Sequence, residues 1–187
     1  MLDDFASRWI GATVHLIGLP FHVDKVATNA TCRPQAAQLP YEALIEGVEG
    51  SLPPESVKLR FLAHITFRRS PLLDGSFGDR SYDLPFPLPA LVFGGLLWLW
   101  NAFGPQLLPE ELRSFARDCV VVNRYRLRTK RVDFWSVRRG RVEGFVGVCR
   151  FAIRFAEVAW RRRIGLLVAF DPFAGVGWRT EMGLGQT

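Results

Sequence analysis

The chain has 187 residues, 49% of them apolar, with a mean hydropathy of +0.10. That is enough for one large domain or two small ones with a real core, and too polar overall for a membrane protein. Twenty-four basic residues against 18 acidic ones give a net charge of +6 and a pI of about 9.8. The charge is uneven: residues 1–93 hold 8 basic and 10 acidic residues, net −2, and residues 94–187 hold 16 and 8, net +8. Basic charge gathered in one half points to a polyanionic partner. Of the 24 cations 21 are arginine, the side chain suited to bidentate contacts with phosphate.

Several classes fall away. The longest apolar run, 91-LVFGGLLWLW-100, is half the roughly 20 residues a spanning helix needs, and prolines crowd its start. The N-terminus MLDDFASRW is acidic and has no signal-peptide pattern, so a cytoplasmic protein is expected, with no membrane partner. Cys32, Cys119 and Cys149 are scattered, without a CxxC pair or histidines at ligand spacing. A disulfide framework or a zinc site is therefore not expected, and the thiols read as buried and structural.

In chain order, the first 55 residues are weakly patterned. The runs 12-ATVHLI-17 and 21-FHVDKV-26 read as short strands, 27–40 as loop, and Tyr41–Val48 as a short helix. The turn-rich 50-GSLPPES-56 marks a domain boundary at 55/56. The segment 57-VKLRFLAHITFR-68 alternates apolar and polar residues, the pattern of a strand with one buried and one wet face. His64 falls on the polar side with Lys58, Arg60 and Arg68. A polar loop occupies 70–83. Residues 88–103 read as a helix apolar all round and therefore buried, and Glu110–Asp118 as another helical turn or two.

The stretch 119-CVVVNRYRLRTKRVDF-134 reads as a strand with Arg124, Arg126, Arg128 and Lys130 in a row on one face, about 7 Å apart, while Tyr125 reads as core. Like charges in a row repel, and a nucleic-acid backbone justifies them. Residues 141–155 alternate again, with Phe145, Cys149, Phe151, Ile153 and Phe155 on one face. A helix over 156–170 then ends at Asp171 and Pro172. From residue 56 on, the order is βαββαβ, which predicts an α+β, ferredoxin-like (RRM-like) domain with helices on one face of an antiparallel sheet and the other face open. The short segment 1–55 precedes it as a partial first domain. No RNP1 aromatic motif occurs, so base stacking on the sheet itself is not expected.

The C-terminal segment 173-FAGVGWRTEMGLGQT-187 places Gly175, Gly177, Gly183 and Gly185 around Arg179 and Thr180. It is neither a Rossmann fingerprint nor a P-loop, so no nucleotide cofactor is implied. Paired glycines allow positive φ and a close approach of backbone to a ligand, and successive N–H groups cradle phosphates.

The segment 175-GVGWRTEMGLGQ-186 resembles the glycine-rich motif of the CRISPR repeat-processing endoribonucleases of the RAMP superfamily. The pieces 67-FRRSP-71, 93-FGGLLWLWNAF-103 and 144-GFVGVCRF-151 agree in order, and the likeness covers roughly residues 57–187. It implies two ferredoxin-like domains, CRISPR precursor or repeat RNA as the partner rather than DNA, and metal-independent cleavage within each repeat to a 2′,3′-cyclic phosphate. Such chemistry needs an acid, a base and a cation, with histidine the usual proton carrier. The family's histidine normally lies in the first domain, and the short stretch before residue 56 is expected to reflect a truncated N-terminus, a degenerate first domain or a shortened form that only binds. That leaves His22 and His64 as catalytic candidates, and His15 as a surface or satisfied core residue. The expected RNA contacts are Gly175, Gly177, Arg179, Thr180, Gly183, Gly185, Arg124, Arg126, Arg128 and Lys130. The alternative is a repeat-gripping or structural RAMP subunit of a CRISPR effector complex.

Overall fold

A computed structural model describes residues 8–16, 19–27, 39–69, 82–133, 141–178, 180 and 184–187. Contacts divide the chain into two compact units, residues 1–40 and 41–187. In the first, β1 (Thr13–Leu16) and β2 (Leu19–His22) form an antiparallel hairpin in which Thr13 faces His22 and His15 faces Pro20.

The second unit opens with the helix α1 (Tyr41–Glu49). Tyr41 meets Trp100 edge to face at 5.6 Å, and Leu44 is buried in the core. This helix therefore packs with the elements C-terminal to it, whereas the turn-rich pattern at 50–56 predicts a boundary after residue 55.

The strand β3 (Ser56–Ile65) comes next. The hairpin β4 (Phe67–Arg69) and β5 (Tyr82–Leu84) is then succeeded by the helices α2 (Pro89–Phe103) and α3 (Glu111–Cys119). The long strands β6 (Val120–Asp133) and β7 (Arg141–Ile153) precede the helix α4 (Val158–Ala174). The sheet order is β3-β7-β6, all antiparallel.

The main-chain N–H groups of Leu62 and Ala63 donate to the Gln186 carbonyl at 2.9 and 3.1 Å, and the Gly185 N–H donates to the His64 carbonyl at 3.1 Å. The C-terminal segment thus runs beside β3 in the fourth-strand position of a ferredoxin-like sheet. The βαββαβ order holds, with the β4–β5 hairpin added where the sequence predicts a plain loop.

Val57, Leu59 and Phe61 of β3 and Phe145, Cys149 and Phe151 of β7 form the floor of the core. Phe93 of α2 meets Phe151 edge to face at 5.4 Å, and Trp100 meets Phe170 of α4 at 5.3 Å. The Trp-Asn end of α2 ties down the connection to α3. Trp100 Nε1 donates to the Gln106 carbonyl at 2.9 Å, and Asn101 pairs with both the carbonyl and the N–H of Leu108.

The structure departs from the sequence pattern at four further points. The helix α2 is not buried all round, since Trp98 and Phe103 lie exposed where no described element covers them. Tyr125 is exposed, not core, because β6 is the edge strand and overhangs the helices; its ring meets Phe86 edge to face. The helix α4 runs through Asp171 and Pro172 to Ala174. Its end is set by Gly175, at φ 72°, whose N–H still donates to the Asp171 carbonyl at 2.8 Å. Phe155 does not continue the buried face of β7 but is fully exposed at φ 49°.

Of the cysteines, Cys149 is buried, which pushes its thiol up to about 12, and Cys119 is partly buried. Cys32 lies outside the described residues. No helix among the described residues is long and apolar enough to cross a membrane.

Candidate nucleic-acid interface

The cationic strand owes its sidedness to a bulge. Val122 pairs with Phe151 and Arg124 with Arg150, so Asn123 is the extra residue. An extra residue flips the alternation. Val120 thus points into the core ahead of the bulge, while Arg124, Arg126, Arg128 and Lys130 beyond it are all exposed. Residues directly opposite in an antiparallel pair share a face. Arg124 faces Arg150, which faces Lys58, and Arg126 faces Val148, which faces Arg60. The open side of the sheet therefore carries seven exposed cations from three strands. Lys58, Arg124, Arg126 and Arg150 line a concavity of ≈ 500 Å³ on it. Sequence reasoning puts Lys58 and Arg60 on the wet face of their own strand but names as RNA contacts in the sheet only the four cations of β6. Lys58, Arg60 and Arg150 become their neighbours through strand pairing, which no local pattern encodes.

His64 is placed differently from the expectation. It is 7% exposed, and both its ring nitrogens are buried, turned toward the main chain of Val142. The pairing slips between Phe61 and Ile65, and this irregularity lays the imidazole against Gly144 of β7. A Cβ on Gly144 would collide with His64 Nε2 and the Ile65 carbonyl. Since Gly144 faces Lys130, the ring lies on the basic side of the sheet but beneath its surface. Burial lowers its pKa; Asp83 opposes the shift and Lys130 adds to it. The imidazole is therefore covered rather than presented on the wet face.

In the glycine-rich segment, Gly175, Gly177 and Gly185 have φ of 72°, 102° and 83°. Their main use is packing. A Cβ at Gly177 would stand 2.7 Å from the Thr66 carbonyl oxygen, so only glycine lets the segment close onto the end of β3. The Trp178 N–H donates to that same carbonyl at 2.8 Å, and the Val176 N–H to the Gly185 carbonyl at 2.9 Å. The N–H groups of Gly175 and Gly185 are likewise directed at carbonyls, those of Asp171 and His64. These four N–H groups are therefore engaged within the fold. Gly177 is exposed and Thr180 partly so, and the Arg68 guanidinium stacks on the Trp178 ring 4.6 Å from its centroid. Arg179 and Gly183 lie outside the described residues.

His22 closes β2 and is exposed, as is His15. The pairs Thr13–His22 and His15–Pro20 lie on one face of the hairpin, which makes the two histidines diagonal neighbours about 7–8 Å apart. Seven positions separate them in the sequence, and only the hairpin register joins them. Among the described residues no group of three His, Cys, Asp or Glu side chains is placed to hold a metal ion.

A three-stranded antiparallel sheet extended by the C-terminal segment and covered by four helices, with a cationic open face and a glycine-rich segment closing on its first strand, defines an RNA-binding ferredoxin-like domain. The profile of CRISPR-associated endoribonuclease Cas6 matches residues 59–187, and the chain belongs to that family. Among solved structures, the Cas6 (TTHA0078) product complex is 27% identical over 100% of this chain and 69% of that chain, with a TM-score of 0.76. The Cas6 (TTHA0078) substrate mimic complex is 28% identical over 99% of this chain and 71% of that chain, also at 0.76. The Cas6 (TTHB231) product complex, from a Thermus thermophilus Cas6, is 25% identical over 98% and 66%, with a TM-score of 0.77. No individual curated protein matches the sequence.

Proposed function

We propose that this chain cuts CRISPR precursor transcripts within their repeats to release guide RNAs, acting in the cytoplasm and without a metal ion. The observation that carries the reading is the open basic face, Lys58, Arg60 and Arg150 beside Arg124, Arg126, Arg128 and Lys130, in a chain of an endoribonuclease family. The similar structures in complex with product and with a substrate mimic support it. In this reading the cations hold the phosphodiester backbone, and Gly177 and Thr180 with the Arg68–Trp178 pair border the path at the glycine-rich end. The upstream 2′-OH attacks the scissile phosphate, giving a 2′,3′-cyclic phosphate and a free 5′-OH.

Proton transfer falls to a group that substrate can reach. Of the two candidates, His22 is exposed and His64 is covered, so we assign it to His22, with His15 as its neighbour. The test is cleavage of repeat RNA in EDTA. Wild type gives a single cut with a cyclic phosphate end, and His22→Ala loses about 10²- to 10⁴-fold in rate while binding is kept. Tight binding with no cut by the wild type overturns the catalytic reading. Full activity in His22→Ala overturns the residue assignment alone.

A further inference from the structure

Phe155 is the one non-glycine residue at positive φ among the described residues, 49°, and its side chain is fully exposed. Neither property helps the fold. β7 ends with the Ile153 N–H donating to the Glu55 carbonyl at 2.9 Å and the Arg154 N–H to the Cys119 carbonyl at 2.7 Å. Ala156 then packs against the core and Glu157 takes the N-cap position of α4. The chain needs a sharp reversal at 155, which glycine or asparagine makes without strain. An aromatic ring there is strained and wholly in water, and such outliers cluster at functional sites.

Its surroundings name a ligand. Phe155 shares a shallow hollow of ≈ 410 Å³ with Ser56, Asn123 and Arg154, and with Glu55, whose charge Arg161 offsets at 3.7 Å. Ser56 pairs with Ala152, and two residues further along the same strands Lys58 pairs with Arg150, which faces Arg124. The hollow therefore adjoins the basic concavity about 7 Å away. An exposed aromatic face beside phosphate-binding cations is how single-stranded nucleic acid is held without sequence preference.

We propose that Phe155 is a stacking platform for a base of single-stranded RNA, with Lys58, Arg150 and Arg124 on the adjoining phosphate. The site lies at the start of β3. The glycine-rich segment docks at the other end of that strand, about 30 Å away over its ten residues, so RNA is gripped at two separate places. The inference rests on the open face being the RNA path.

The test uses the full chain and fluorescence anisotropy with two probes, a labelled single-stranded oligo(A) 12-mer and repeat RNA. Phe155→Ala and Phe155→Gly bind oligo(A) roughly 5- to 150-fold more weakly, and repeat RNA by a smaller factor. Phe155→Gly melts no lower than wild type, since it relieves the strain, and Phe155→Trp restores binding. Unchanged affinity of Phe155→Ala for both probes, in a wild type that binds repeat RNA, overturns the platform and leaves the RNA path standing. A wild type that binds neither probe overturns the path and the platform together.

Discussion

Asp171 sits in the last turn of α4, 3% exposed, with Oδ1 unpartnered. Burial raises its carboxyl to about 6, with Thr187 pulling the other way. An unfolded aspartate titrates near 3.9, so the fold favours the protonated form. Its contribution to stability is full below about pH 4, is lost as pH rises towards 6, and is flat beyond. Asp171→Asn keeps the shape and removes the ionisation. It is expected to raise stability at pH 8 by about 2–3 kcal/mol and to leave pH 4 unchanged, as read from urea midpoints at the two values. Parallel pH profiles for variant and wild type contradict the assignment. His64 works in the opposite sense: its pKa is lowered, so its share of stability is present above about 6.5 and is lost on acidification. Neither burial is legible in the sequence. The alternation of residues 57–68 puts His64 on the wet side, and the slip at Phe61–Ile65 lays it against Gly144 instead.

At the scale of elements, β3, β6, β7 and the helices α2 and α4 are legible because their apolar periods are long and regular. What the pattern misses are interruptions of period: the bulge at Asn123, the reversal at Phe155 and the helical Pro172. Pro172 costs α4 the bond that its N–H would make to the Val168 carbonyl, and the helix ends three residues later at Gly175. Glycines in such a sequence invite assignment as ligand contacts, yet Gly144 shows what they do in the fold. An added methyl there meets the Ile65 carbonyl and the His64 ring, and the former is backbone that cannot move aside. Gly144→Ala is expected to destabilise the chain by about 2–4 kcal/mol, by analogy with other overpacked core sites, and to lower binding by uncoupling the β3 end from β7. A melting temperature equal to wild type contradicts this close packing.

At the scale of the whole molecule, the excess of cations in residues 94–187 resolves into a surface when strand pairing adds Lys58 and Arg60 from the other half. Composition shows that a polyanion is wanted; only topology shows where it lies. Releasing counterions makes log affinity fall with log salt by about 0.7 per neutralised phosphate on single strands. Reversing Arg126 and Arg128 to glutamate is expected to weaken repeat RNA binding and to flatten that slope by at least about 1.4. A salt titration superimposable on wild type removes β6 from the path. Family membership rests on residues 59–187.

The tail that runs along β3 has a consequence for solubility. An unpaired sheet edge recruits strands from other molecules. The outer rim of β3 is closed by Gly185 and Gln186, and the opposite rim, β6, bristles with arginines that repel a second copy. The sheet is thus shut at one side by its own chain and guarded at the other by charge. The charges that welcome an RNA backbone also keep the protein from polymerising with itself.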